Sequence, residues 1–145
     1  MAGSYLLVGG SSDIARIVAH ELLASGNNVT LIARDESRIS DLVSKGAEAV
    51  IGDSLNEESI SKGISIASDL GNGSINGVAH LVGSIAIRPP HAMKIEAFEE
   101  VISTNLTSAF LTLSLTGKAM LKGGCLLYTS PSPRDQRGSR MPSSA

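Results

Sequence analysis

Four short apolar runs punctuate the chain, at residues 5–8, 29–33, 47–51 and 78–82, and each is followed at once by glycine or arginine. Runs this short and this apolar predict strands buried on both faces of a parallel sheet. Between them the apolar positions change to helical spacing. Ile14, Ile17, Val18 and Leu22 lie ahead of Gly26, and Ile39, Leu42 and Val43 lie within 37–44 ahead of Gly46. Ile60, Ile64 and Ala67 follow a cap at Ser54 or Asn56. Glycine beyond the last turn and a small polar residue before the first are the ordinary stop and start signals of a helix. The alternation β-α-β-α-β-α-β with short connections predicts an α/β fold, a doubly wound parallel sheet with helices on both faces.

Beyond the fourth run, residues 85–93 contain Arg88-Pro89-Pro90 and are expected to be irregular, because proline resists helix and interior strand alike. A long helix is then predicted over 95–121, with Phe98, Val101, Ile102, Leu106, Ala109, Phe110 and Leu113 on one stripe, an apolar face expected to be exposed where the chain lacks the elements that follow in the whole protein. Asn105 interrupts it as a poor helix former. Its side chain belongs either to the polar face or to a hydrogen bond with backbone or water.

Candidate chemistry collects at the ends of the predicted strands. V-G-G-S-S-D-I-A, residues 8–15, reads as a strand end, a glycine turn and the start of a helix, whose first N–H groups have no partner inside the helix. Such a turn suits a phosphate. Gly9, Arg34, Asp53 and Gly83 stand at four successive strand ends, where open α/β sheets bind ligands. An arginine at the end of the second strand accommodates a 2′-phosphate, where an acidic residue would bond a 2′-hydroxyl, so NADP is expected over NAD. Asp35 is open to two readings, one facing the ribose and one at a helix start. His20 has no neighbour at metal-ligand spacing and is expected at the surface or its boundary, so no metal site is expected.

Composition and charge narrow the class. The chain has 145 residues, 42% hydrophobic and 18% charged, enough for one globular domain. No apolar run reaches the roughly 20 residues that span a bilayer, and the start lacks a basic leader, so a cytoplasmic protein is expected. Residues 1–124 carry nine Lys and Arg against 13 Asp and Glu, a net charge of −4, which argues against nucleic acid and anionic membrane as partners. After Gly124 the composition shifts to proline, serine and arginine. Residues 125–135 resemble the translation of a transposase-end sequencing adapter, and 139–145 resemble the flow-cell end of the same adapter. Residues 125–145 are therefore expected to be a non-native tail, set apart from a partial dinucleotide-binding domain at 1–124. The only cysteine, Cys125, lies in that tail.

Over 1–124 the chain resembles the short-chain dehydrogenase/reductase family. The family's nucleotide turn, T-G-x-x-x-G-x-G, lies over 8–15, with Gly9 kept and Asp13 and Ala15 in place of the later glycines. Arg34 matches the position that marks NADP-preferring members, and Asp53 with Ser54 matches the pair that holds the adenine. The family's N-N-A-G segment lies over His80-Leu81-Val82-Gly83. Asn105, in T-N-L-T-S-A-F, matches the asparagine of the catalytic tetrad, where it supports a proton relay through water.

The resemblance implies a Rossmann-type fold, here ending after the fourth strand and its following helix. The implied cofactor-binding residues are Gly9, Ser11, Ser12, Asp13, Ile14, Arg34, Asp53, Ser54, Gly83 and Ser84. The implied activity is NADP-dependent interconversion of a carbonyl and an alcohol on a small molecule by a homo-oligomeric parent. The family's serine and Tyr-x-x-x-Lys pair would lie beyond Gly124, and Tyr128 has Ser132 where the lysine would stand. Without that acid/base the chain alone is expected to be inactive. Two alternatives remain: a non-catalytic dinucleotide-binding sensor or scaffold of the same fold, and a methyltransferase-type fold. The latter calls for an acidic residue where Arg34 stands.

Overall fold

A computed structural model describes residues 2–122, so the expected tail at 125–145, with Cys125, Tyr128 and Ser132, lies outside the described residues. Four parallel strands form one sheet in the order β3-β2-β1-β4. They are β1 (Ser4–Val8), β2 (Asn28–Ala33), β3 (Glu48–Ile51) and β4 (Gly77–His80). Val8 pairs with Ile32 on one side and His80 on the other, and Ala33 pairs with Ile51, so the strand ends are level. Reversal of direction on either side of β1 makes its carboxyl end the switch point of the sheet.

The connecting elements are α1 (Asp13–Ala24), a 3₁₀ turn (Ser37–Ile39) continuing into α2 (Ser40–Ser44), and α3 (Glu57–Leu70). After β4 and a 3₁₀ turn at Pro90–Ala92 come α4 (Ile95–Ile102), a π-helical turn (Ser103–Thr107) and α5 (Ser108–Lys122). Asn56 caps α3, its side chain accepting from the Ser59 N–H at 2.9 Å, which settles the choice between Ser54 and Asn56.

Alternate residues of the strands feed two cores. Leu7, Val29, Leu31 and Ala33 pack with Ala19, Ile39 and Leu42 under α1 and α2. Leu6, Val8, Ile32 and Val50 pack with Ile60, Ala67 and Ile75 under α3, joined by Leu111 and Leu115 of α5. Complete burial of Leu6, Leu31, Ile32 and Ile60 contributes about 1.5–3 kcal/mol each.

Three expectations need correction. β4 ends at His80, two residues short of the predicted run. In α1 the inward positions are Ala15 and Ala19, fully buried, while Ile14 and Ile17 are 66% and 64% exposed. Small side chains let the helix axis approach the sheet, which the larger isoleucines would prevent. The helix predicted over 95–121 exists but is broken by the π turn, with its apolar stripe exposed as expected. Phe98, Ile102, Leu106, Phe110 and Leu113 are exposed, whereas Ser108, Thr112 and Thr116 are buried. Those hydroxyls can be buried because Ser108 donates to the Thr104 carbonyl and Thr116 to the Thr112 carbonyl.

Candidate functional site

The carboxyl ends of the strands enclose a cavity of about 260 Å³, lined by Gly9, Ser11, Ser12, Arg34, Ser54 and Gly83 among others. Each arrives there for a local reason. Gly9 turns the chain off β1 with φ +92°, and a Cβ on it would come within 2.8 Å of the Leu81 carbonyl oxygen. Only glycine combines that φ with that clearance. Gly9 and Gly10 both donate their N–H to the Ile32 carbonyl, at 2.9 and 2.8 Å, while Leu81 N–H donates to Val8 at 2.8 Å. The Ser12 side chain caps α1 by accepting from Ala15 N–H at 3.1 Å. The N–H groups of Asp13 and Ile14, next in the first turn, have no partner among the described residues.

Arg34 extends from the end of β2 and makes no ion pair among the described residues. Asp35 turns away from the cavity: its carboxylate accepts from the Ser37 hydroxyl at 2.6 Å and the Ser37 N–H at 3.0 Å. The Ser37 hydroxyl chiefly holds the Asp35 carboxyl below its usual range. Of the two readings of Asp35, the structure therefore has the turn-starting one. Arg38, which the strand-end argument overlooked, also lines the cavity. It lies one turn past Arg34 on the 3₁₀ segment and donates to Asp13 at 3.1 Å. Its four-residue spacing from Arg34 was the signal available.

Of the other expected residues, Ser54 and Gly83 line the cavity, whereas Asp13, Ile14, Asp53, Ser84 and Asn105 are outside its lining. Asp53 accepts from the Leu55 N–H at 2.8 Å and so shapes the loop that places Ser54. Asn105 lies in the π turn and is tied to the loop after β4. It accepts from the Ser84 N–H at 3.1 Å and donates to the carbonyls of Ser84 and Val101, both at 2.8 Å. Its side chain thus makes the backbone hydrogen bonds that were one of its two readings. Gly83 lies directly beneath, where a Cβ would stand 3.3 Å from Asn105 Oδ1.

His80, at the end of β4, is a polar feature with no assigned role in the sequence. Ser108 spends its proton on the Thr104 carbonyl, so it accepts from His80 Nε2–H at 3.1 Å. His80 Nδ1 is then left to accept from the Thr112 hydroxyl at 3.0 Å. That arrangement needs a neutral ring, and burial pushes its pKa down. His20 is half-exposed between Asp41 and Lys45, at the surface boundary. Among the described residues no group of three or more potential metal ligands occurs, and no helix is long and apolar enough to cross a membrane.

A parallel four-stranded sheet with helices on both faces and a glycine turn at its switch point is an α/β fold of the Rossmann type. The profile of the short chain dehydrogenase family matches residues 4–130, and the chain belongs to that family. It is 30% identical over 135 residues to a tropinone reductase homolog of Arabidopsis thaliana, covering 86% of this chain and 51% of that protein. It resembles the structure of a short-chain type dehydrogenase/reductase from Mycobacterium ulcerans with TM-score 0.77 at 23% identity, covering 86% of this chain and 50% of the other. ElxO with NADP bound gives TM-score 0.74 at 24% identity, covering 86% and 53%. The chain spans about half the length of the curated relatives it matches.

Proposed function

We propose that this chain is the cofactor-binding half of an NADP-dependent oxidoreductase that interconverts a carbonyl and an alcohol on a small molecule. The observation that carries the reading is Arg34, a guanidinium without an ion-pair partner among the described residues, facing a cavity whose other end is a phosphate-type turn. The donors fit the group: Gly9 leaves room that a Cβ would fill, and Asp13 and Ile14 offer N–H groups to a diphosphate. Gly9, Ser11, Ser12, Asp13 and Ile14 would hold the diphosphate end. Arg34 would hold the 2′-phosphate, Asp53 and Ser54 the adenine, and Gly83 and Ser84 the nicotinamide side. The bound nicotinamide supplies or accepts hydride. Asn105 would steady a water-borne proton relay beside it, with the acid/base pair supplied by sequence that follows residue 124 in the whole protein. ElxO, which carries NADP, and the reductase homolog of Arabidopsis support this reading.

The outward stripe of Phe98, Ile102, Leu106 and Phe110 supports a homo-oligomeric whole protein, since a contiguous exposed apolar face favours association. The cofactor choice is tested by Arg34→Asp in the whole protein. The ratio of kcat/KM for NADPH over NADH is expected to fall at least about tenfold, roughly the 1.4 kcal/mol of a charge-assisted hydrogen bond. An unchanged ratio means that Arg34 does not select the cofactor.

A further inference from the structure

Asp13 stands where the family's turn has its second glycine, and it is 87% exposed at the first position of α1. A carboxylate there opposes any phosphate brought to the turn. It does not stand alone, because Arg38 reaches it from the 3₁₀ turn at 3.1 Å, across 25 residues of sequence, while lining the same cavity as Arg34. The cavity thus has two guanidinium groups, one without an ion-pair partner among the described residues and one held by a carboxylate at the rim.

We infer that Asp13 competes with the 2′-phosphate of NADP for Arg38, so that the Asp13–Arg38 pair sets how strongly this chain prefers NADP. The inference rests on the proposed cofactor reading. An ion pair this exposed is weakly held. A phosphate dianion offers the guanidinium more charge and more acceptor oxygens than one carboxylate, so it draws Arg38 away. NAD presents a hydroxyl in the same place and leaves the pair closed. The cost of parting the pair therefore falls on NADP binding, while NAD binding does not incur it. The Asp13 carboxylate sets specificity through Arg38, while its backbone N–H remains with the diphosphate.

Binding of NADPH and NADH, followed by nicotinamide fluorescence, tests this on the whole protein and on its Asp13→Asn, Arg38→Gln and double variants. Asp13→Asn is expected to raise the ratio of NADPH to NADH affinity about threefold to fivefold, the scale of an exposed ion pair. Arg38→Gln is expected to weaken NADPH about tenfold, with the double variant equal to Arg38→Gln alone. Equal tightening of both dinucleotides by Asp13→Asn, or a gain that persists when Arg38 is gone, would show simple repulsion from Asp13 and overturn the inference. Either result leaves the proposed function standing. Failure of the unaltered protein to bind either dinucleotide would instead remove the proposed function itself.

Discussion

His80 ties the end of β4 to α5 through two hydroxyls, in a geometry that requires the neutral ring. Its folded pKa lies below the ordinary 6.5, because burial disfavours the charge. The unfolded chain therefore takes up a proton first, and stability falls as pH drops from about 6.5, levelling off below the folded pKa. Thermal midpoints measured across that range are expected to decline, and His80→Gln is expected to flatten the decline. The carboxyls of Asp35 and Asp41 are held low, chiefly by the Ser37 hydroxyl and by Arg16 respectively, so their contribution is lost only on further acidification, below about pH 4. The two windows separate in one titration. The place of Arg34, just past β2 and on the cavity lining, was legible at this scale because the apolar run stops at it. Arg38 and His80 were not, since the role of each depends on a partner 25 or more residues away.

The π turn at Ser103–Thr107 places Asn105 against the loop that follows β4, with one amide side chain serving both the N–H and the carbonyl of Ser84. Asn105→Ala removes these bonds at an exposed site and is expected to cost about 1–2 kcal/mol in urea unfolding. Amide exchange at Ser84 is expected to accelerate in the same variant. The extent of the α4–α5 segment was legible from helical spacing, but its inward face was not. Hydropathy picks out the apolar stripe, whereas the buried row is Ser108, Thr112 and Thr116, two of which satisfy themselves on carbonyls one turn back. In α1 the error has another cause. Ala15 and Ala19 are inward because size, as well as hydropathy, limits how near a helix can lie to a sheet.

The sheet itself was legible almost throughout, since each strand is short, apolar and followed by a residue suited to a turn or a ligand. What the pattern lacked was the destination of the outward stripe on α4 and α5. If that stripe joins copies of the whole protein, Phe110→Glu, at a position 65% exposed, is expected to lower the mass measured by light scattering without unfolding the chain. An unaltered mass would place the subunit contact elsewhere. The carbonyl of Ile32 bears on how such a molecule meets its ligand. It receives the N–H groups of both Gly9 and Gly10 and lies two residues before Arg34. The phosphate turn and the guanidinium arm thus hinge on one oxygen atom. In the language of ligand design the proposed receptor would be preorganised: the backbone that would meet the diphosphate and the 2′-phosphate is already set, and little of its conformational entropy is left to be lost on docking.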